Sequence, residues 1–318
     1  MKKMLVTWLL GTVTCLNALA WPDKPVTIVV PFPAGGSTDS IARALAPKMQ
    51  DKLGGSFIVD NRAGATGTIG AASVKRSAPD GHTLMVSSLG PLAVAPHLLK
   101  GVQYDALKDF DTITIAVQAP NVLVVPANSP FKTVADVIAQ QKKTPEKVTF
   151  ASSGNGSSDH LTVELFWQQT GTTGIHIPYK GGAPAINDLL GSQVDASFQN
   201  INAVLQHINA GKLRALAITS AKRSSVLPQV PTMKEAGVNG TEVASWQAMV
   251  APKGLPADIK AKIHAAVVGA LQDESLKNKL VSQGFEIVAN TPEQFAQYQA
   301  SEFARWKKVI EVGKITAD

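Results

Sequence analysis

Cysteine is almost absent from this sequence. The single cysteine, Cys15, lies within the first 20 residues, in a segment that we predict to be removed. Without thiols, the rest of the chain can form no disulfide, no thiolate metal site and no cysteine nucleophile. The six histidines show no metal-ligand spacing, and no Gly-x-Gly-x-x-Gly or Gly-Lys-Ser/Thr phosphate loop occurs. We therefore expect no metal, no nucleotide and no other cofactor.

Long hydrophobic runs are also missing. The apolar run at residues 4–16 follows Lys2 and Lys3 and precedes the small residues Ala18-Leu19-Ala20. It is shorter than the roughly 20 residues that a membrane-spanning helix needs, and its charged, apolar, small-residue order is typical of an export signal. We predict a signal peptide at residues 1–20, cleaved after Ala20, and a soluble periplasmic protein. A retained membrane anchor is the alternative interpretation.

The net charge is modest and spread along the chain. The formal charge is +6, and two of the positive charges lie in the predicted signal peptide. Scattered basic residues do not form the clustered patch of a nucleic-acid-binding protein, but they fit a weak attraction for anionic solutes. We expect a monomer that does not bind nucleic acid.

The mature chain is long enough for two domains, because about 300 residues exceed the size at which one hydrophobic core keeps growing. A β-branched apolar run at Val26–Val30 is followed by apolar residues at helical spacing over residues 41–53, and further short strands are predicted at residues 57–59 and 83–86. This alternation predicts a mostly parallel sheet covered by helices.

A second unit with the same plan begins with a predicted strand at residues 148–151 and a helix at residues 158–169. Two apolar extended runs, at residues 121–126 and 241–251, are the predicted crossings between the units. The sequence therefore predicts an α/β fold of two lobes, each an open, mostly parallel sheet flanked by helices, joined by a hinge of two crossings. The predicted limits are residues 21–123 and 245–318 for lobe 1 and residues 124–244 for lobe 2.

Two loops are candidates for binding an anion. Residues 31–39 read Pro-Phe-Pro-Ala-Gly-Gly-Ser-Thr-Asp between a predicted strand and helix. Glycine lets a backbone approach a ligand closely, and the first N–H groups of a helix favour an anion. The alternative is that the two glycines only make a tight turn. Phe32 and Tyr179 are candidate pocket walls, with core packing as the alternative for both.

The second loop, residues 152–160, reads Ser-Ser-Gly-Asn-Gly-Ser-Ser-Asp-His in the other lobe. Two facing loops of this kind can hold the two ends of one solute. The competing hypothesis is a serine hydrolase that uses Ser157 or Ser158 with Asp159 and His160. Adjacent positions do not supply the geometry of a catalytic triad, and no Gly-x-Ser-x-Gly motif is present. We therefore favour a binding protein over an enzyme.

The chain resembles the Bug family, the substrate-binding proteins of tripartite tricarboxylate transporters. The resemblance is carried by ordered motifs at residues 31–39, 59–65, 79–84, 181–182, 211–217, 227–232, 235–237 and 245–246. It implies a two-lobed periplasmic binding fold and a small carboxylate ligand, such as a di- or tricarboxylate or an aromatic carboxylate. It also implies a membrane permease as partner, and a signalling receptor is the alternative partner.

The resemblance also implies which residues bind the ligand. Carried over by position, these are Phe32, Gly35, Gly36 and Ser37 from one lobe and Ser153, Gly156, Ser157 and Ser158 from the other, with Ser88 and Gln199 as weaker candidates. Ala63 stands where the family often has proline. Gln199 stands near a position where members commonly carry an aspartate, and a neutral amide there favours plain carboxylates over amino acids.

Overall fold

The structure is a computed structural model that describes residues 21–316. The predicted signal peptide, including Cys15, lies outside the described residues. Within residues 21–316, no helix has both the length and the apolar character needed to cross a membrane. Among these described residues, no three His, Cys, Asp or Glu side chains form a group that could hold a metal ion.

Strands and helices alternate along most of the chain. The first half contains β1 (Val26–Val30), α1 (Ser37–Leu53), β2 (Phe57–Asn61), α2 (Thr68–Lys75), β3 (Thr83–Ser88), α3 (Ala95–Leu98), β4 (Phe110–Pro126), α4 (Val134–Lys143), β5 (Thr149–Ser152) and α5 (Ser158–Thr170). The second half contains β6 (Ile175–Pro178), α6 (Gly182–Leu190), β7 (Ala196–Asn200), α7 (Ile201–Asn209), β8 (Leu213–Ile218), β9 (Ala244–Pro252), α8 (Ala257–Leu271), α9 (Glu274–Ser282), β10 (Glu286–Ile287) and α10 (Pro292–Gly313).

All strands belong to one continuous sheet. Its order is β2-β1-β3-β9-β4-β7-β5-β6, and β10 and β8 also pair with β4. The outer strands are parallel, β1 with β2 and β3, and β5 with β6 and β7. The central pairs β3–β9, β9–β4 and β4–β7 are antiparallel, and β4 pairs with β9 over its first part and with β7 over its second part. The predicted parallel pairing is therefore found in the outer strands and not in the centre.

The two ends of this sheet form two lobes. We call the part built on β1–β3 and residues 110–120 of β4 the first lobe, and the part built on β5–β8 and the rest of β4 the second lobe. The partner of β4 changes from β9 to β7 between Pro120 and Asn121. The exact limits of the lobes stay a prediction.

Strand β4 is much longer than the run predicted from the sequence. It spans 17 residues, and its first part includes polar residues that break the apolar pattern. Thr114 is nevertheless fully buried, and its hydroxyl donates to the carbonyl of Asn290 at 2.8 Å. These polar residues tolerate burial because the segment before α10 supplies their hydrogen-bond partners.

The crossing between the lobes is held by a buried hydrogen-bond network. The N–H of Asn121 donates to Oγ1 of Thr219 at 2.9 Å, and the N–H of Thr219 donates back to the carbonyl of Asn121 at 2.9 Å. The hydroxyl of Thr219 donates to the carbonyl of Val243, just before β9, at 2.5 Å. The side chain of Asn121 donates to Thr162 of α5 and accepts from Asn200. Both chain crossings are thereby tied together and to α5.

Each lobe has its own aromatic core. In the first lobe, Trp246 and Phe295 make an edge-to-face contact with ring centroids 5.8 Å apart. In the second lobe, Phe150, Phe166 and Phe198 are all fully buried and pack together. Large, well-packed aromatic side chains contribute strongly to burial, so each lobe can keep its shape while the crossing strands set the angle between them.

We expect Thr219→Val to lower the free energy of unfolding by about 2–3 kcal/mol, because it leaves the buried N–H of Asn121 and the carbonyl of Val243 without partners. Urea unfolding of the mature protein measures this. Thr219→Ser keeps the hydroxyl and is the control, with a much smaller expected loss. A valine variant within about 0.5 kcal/mol of the wild type would show that the network does not stabilise the crossing.

Candidate ligand-binding site

The first predicted loop is folded back by a buried aspartate. Asp39 lies in the first turn of α1, is 3% exposed, and accepts the N–H of Gly35 at 2.9 Å. Nε of Arg43 donates to both of its oxygens at 3.0 Å. Asn61 at the end of β2 donates to Asp39 and to the carbonyl of Phe32. Burial raises the pKa of Asp39, but the hydrogen bonds from Arg43, Gly35 and Asn61 outweigh it and hold that pKa below 3.8.

The second loop is also folded back by a buried aspartate. Asp159 in the first turn of α5 is also 3% exposed. One of its oxygens accepts both the N–H and the hydroxyl of Ser153 at 2.7 Å. The side chain of Gln199 donates to the same oxygen at 3.3 Å. In both lobes, therefore, a buried carboxylate fixes the backbone between a strand and the helix that follows it.

The two helices differ in how their first turns are capped. Gly36 is the N-cap of α1, and no side chain caps that helix. Ser157 caps α5: its Oγ accepts the N–H of His160 at 3.4 Å and donates to the carbonyl of Gly154 at 2.6 Å. The uncapped first turn of α1 leaves backbone donors facing outward, which is the arrangement that binds anions.

Neither serine proposed as a nucleophile is paired with a base. The hydroxyl of Ser157 is committed to Gly154, and Oγ of Ser158 accepts from Asn200 at 3.2 Å. Nδ1 of His160 accepts the N–H of Gly156 at 3.0 Å. Ser157 and Ser158 therefore lack the nucleophile–base hydrogen bond on which acyl transfer depends.

Behind the second loop, two imidazole rings are stacked. The rings of His160 and His176 lie 4.0 Å apart and are nearly parallel. Nε2 of His176 hydrogen-bonds Oγ of Ser152 at 2.6 Å. Burial and the neighbouring His160 lower the pKa of His176 to about 3. His176 is therefore neutral at physiological pH, and it buttresses the loop from inside the lobe.

Two of the hydrogen bonds between the lobes involve the predicted loops. The hydroxyl of Thr66, before α2, donates to the carbonyl of Asn155 at 3.2 Å, and Nδ2 of Asn202, in α7, donates to Oγ of Ser37 at 2.8 Å. At Gly156 a Cβ would lie 2.9 Å from Leu98 and 3.2 Å from Thr66. A side chain at Gly156 would push the lobes apart, so glycine permits this close approach.

Thr66 adopts an unfavourable backbone conformation. Residues 64–67 all have positive φ, and φ of Thr66 is 54°. A β-branched residue rarely adopts this left-handed conformation, which costs about 1–2 kcal/mol. Strain of this kind persists where the surrounding structure requires it and often marks a functional contact.

The structure brings most of the predicted site residues to this cleft in supporting roles. The N–H groups of Gly35, Ser153 and Gly156 are already used within the protein. Gln199 is buried and donates to Asp159 and Ser197. Ser88 is partly buried at the end of β3.

Both candidate aromatic walls are partly buried and pack against the core. The hydroxyl of Tyr179 donates to Asp188 at 2.6 Å. Burial and this carboxylate raise the pKa of Tyr179 to about 12. The carbonyl of Phe32 accepts from Asn61, and the N–H of Tyr179 donates to the carbonyl of Ser152 at 3.0 Å, so both residues take part in the support of the loops.

Sequence reasoning missed four residues that shape the cleft. Asp39 is predicted only as the last residue of the first loop and Asp159 only as a possible triad member, while Thr66 and Asn202 have no predicted role. A shared signal was available for the first two, because an acidic residue follows each glycine- and serine-rich loop within the first helical turn. No local signal identifies Thr66 or Asn202, since their partners lie in the other lobe.

Comparison with known proteins decides the family. The family model described as tripartite tricarboxylate transporter family receptor, TctC, matches residues 41–314. The chain belongs to the TctC family. The predicted resemblance is thus confirmed, and TctC proteins are periplasmic solute-binding proteins rather than enzymes.

Individual TctC relatives agree over nearly the whole chain. BugT of Bordetella pertussis is 41% identical over 301 residues, covering 94% of this chain and 92% of BugT. A Rhodopseudomonas palustris structure with adipate has 36% identity and a TM-score of 0.88, covering 93% and 99%. MatC of the same organism, with bound malate, has 32% identity and a TM-score of 0.85, covering 91% and 100%. The two-lobed periplasmic binding fold is confirmed.

We expect Asp39→Asn to destabilise the protein by about 2 kcal/mol at neutral pH, because the charged acceptor of the loop is lost. The folded-state pKa of Asp39 lies below 3.8, so its contribution is present above about pH 4 and is lost as pH falls through the folded pKa. The difference between wild type and variant should therefore narrow below pH 4. Unfolding curves from pH 7 to pH 3 measure it, with the exposed Asp51→Asn as control; a pH-independent difference would contradict this role.

We expect Thr66→Val to favour the open arrangement of the lobes, because it keeps the shape of the residue but removes the donor to Asn155. A hydrogen bond of about 1 kcal/mol corresponds to a roughly fivefold smaller closed-to-open ratio. The chain from Trp21 onward has no cysteine, so dyes attached to Ser40→Cys and Lys180→Cys can report the lobe distance by single-molecule energy transfer. Thr66→Ser should keep the wild-type ratio, and an unchanged ratio in the valine variant would argue against the contact.

Proposed function

We propose that this protein captures a small carboxylate, either a di- or tricarboxylate or an aromatic carboxylate, and delivers it to permease subunits in the membrane. The observation that carries the proposal is that each of the two loops is hydrogen-bonded to the opposite lobe. Each loop follows the carboxyl end of a parallel strand and precedes a helix, where ligands of open α/β sheets bind. Ser37 and Asn155 make the cross-cleft hydrogen bonds in these loops.

The donors proposed to hold one ligand carboxylate lie at the start of α1. The N–H groups of Gly36 and Ser37 and the hydroxyl of Ser37 have no acceptor among residues 21–316. Three such donors around one oxygen pair stabilise an anion without a positively charged side chain. The nearby Arg43 is engaged with Asp39 and Asn61, so in this proposal it supports the loop and does not bind the ligand.

The other predicted residues have complementary roles in this proposal. Ser158 offers its hydroxyl from the start of α5, and Ser88 lies at the end of β3. Phe32, Gly35, Ser153, Gly156, Ser157 and Gln199 keep the two loops in shape through the contacts described above. The ligand thus docks on the first lobe, and the second lobe closes over it as a hinged unit.

The comparisons support both the ligand class and the partner. Two TctC relatives were solved with the dicarboxylates adipate and malate, and the family is described as the receptor of a transporter. That description favours a permease over a signalling receptor as the partner. In this proposal the protein acts as a monomer, is exported by a signal peptide cleaved after Ala20, and catalyses no reaction.

We expect refolded, ligand-free protein to bind at least one small carboxylate in isothermal titration calorimetry. Gly36→Val should weaken that binding by roughly a hundredfold, since the side chain covers the donors of α1. A Cβ at Gly36 meets nothing closer than 3.8 Å, so the variant should fold normally. Uptake of the same carboxylate by cells that carry the variant should fall in parallel.

The control for this experiment is Gly191→Val, at an exposed glycine that has the same φ of −79° as Gly36 and lies at the end of α6. It should bind like the wild type. The proposal fails if a broad panel of carboxylates gives no heat of binding, or if Gly36→Val binds as tightly as the wild type.

A further inference from the structure

The hydrogen bond between Ser37 and Asn202 joins residues that are 165 positions apart and belong to different lobes. Ser37 is the first residue of α1, where the carboxylate is proposed to dock. Asn202 is the second residue of α7, and it had no predicted role. Any ligand carboxylate at the start of α1 therefore lies beside the side chain of Asn202.

The direction of this hydrogen bond leaves one donor and one acceptor unused. Nδ2 of Asn202 donates and Oγ of Ser37 accepts at 2.8 Å, so the hydroxyl hydrogen of Ser37 is free to point at another acceptor. Oδ1 of Asn202 is inaccessible to solvent and has no hydrogen-bond partner among the described residues. A buried acceptor without a partner is unfavourable and gains when a donor reaches it.

We propose that Asn202 makes the site selective for carboxylates that carry a hydroxyl group on the carbon next to the carboxylate. The ligand carboxylate accepts the hydroxyl hydrogen of Ser37, and the ligand hydroxyl donates to Oδ1 of Asn202. Asn202 acts both as a positioning residue for Ser37 and as a specificity residue for the ligand. This inference rests on the proposed function and narrows its ligand class.

A hydroxyl matches this site better than an ammonium group. A cation would need a negatively charged partner, but the carboxylates of Asp39 and Asp159 are each only 3% exposed and hold the loops in shape. Asp39 is bonded to Arg43, Asn61 and Gly35, and Asp159 accepts from Ser153 and Gln199. A neutral donor satisfies Oδ1 of Asn202 without requiring a counter-charge.

Contact with Asn202 also links recognition to closure. Ser37 belongs to the first lobe and Asn202 to the second, so the ligand enters while the lobes are apart and bonds to both residues only when the lobes close over it. A ligand shifts a conformational equilibrium only by its difference in affinity for the two states. The ligand hydroxyl supplies such a difference in affinity between the open and closed states.

The test compares acids that differ only in this hydroxyl group, by calorimetry on the refolded mature protein. The pairs are malate with succinate, 2-hydroxyglutarate with glutarate, lactate with propionate, citrate with tricarballylate, and mandelate with phenylacetate, with both enantiomers of each chiral acid. We expect the preferred enantiomer of the hydroxy acid to bind about tenfold or more tightly than its partner in the pair that binds best, because a site built around a hydroxyl disfavours the analogue that lacks it.

Two variants separate the role of Asn202 from a general effect on the cleft. Asn202→Ala should bring the ratio between hydroxy acid and parent acid to about one, while Ser37→Ala should weaken both acids by a similar factor and keep most of the ratio. Asn209→Ala, an exposed asparagine at the other end of α7, is the control and should change neither value. Thermal unfolding verifies that all variants are folded.

The outcomes distinguish this inference from the proposed function. If parent and hydroxy acids bind equally well, if the corresponding amino acid binds most tightly, or if Asn202→Ala keeps the ratio, the inference is overturned and the carboxylate-binding function stands. If no acid of any pair binds, the inference is overturned, and the proposed function is overturned with it when the broad carboxylate panel also gives no heat of binding.

Discussion

The backbone of Asn121 is hydrogen-bonded to Thr219 in both directions, at the position where β4 leaves one lobe and enters the other. Thr219 extends this pair to the carbonyl of Val243, beside the second crossing, and Asn121 reaches the helix that starts at Ser158 through Thr162. Because these groups are buried, each needs a hydrogen-bond partner within the protein. The angle between the lobes, and therefore the approach of the two loops, depends on this junction.

The loops themselves are shaped by their own buried carboxylates. Asp39 and Asp159 each accept a backbone N–H from the preceding loop and lie in the first turn of the following helix. An ionised aspartate in such a position is stabilised by several donors and by the helix dipole. As a result, both loops are held in one shape by the protein itself, and in the proposed function little ordering is left to oppose binding.

The local sequence pattern was sufficient to predict most helices and strands. It could not predict contacts between residues that lie far apart in the chain. The spacing of Ile41, Leu45 and Met49 predicts α1, and the Gly-Gly-Ser sequence after β1 predicts the first loop. The first part of β4 escaped prediction because Thr114 is polar and its burial depends on Asn290, 176 residues away. The cross-cleft partners of Ser37 and Thr66 escaped for the same reason, since no sequence pattern connects residues 165 or 89 positions apart.

The hydrogen bonds of Ser37 and Asn155 to the opposite lobe have a consequence for how the proposed binding shifts the lobes. Two hydrogen bonds of about 1 kcal/mol each favour the shut arrangement by a factor of roughly thirty. Moving a population from 1:99 to 99:1 takes about 5.5 kcal/mol, which is well beyond that contribution. In the proposed function, a bound solute therefore supplies a bias that these two hydrogen bonds cannot supply, and the fraction of shut molecules rises with the solute concentration.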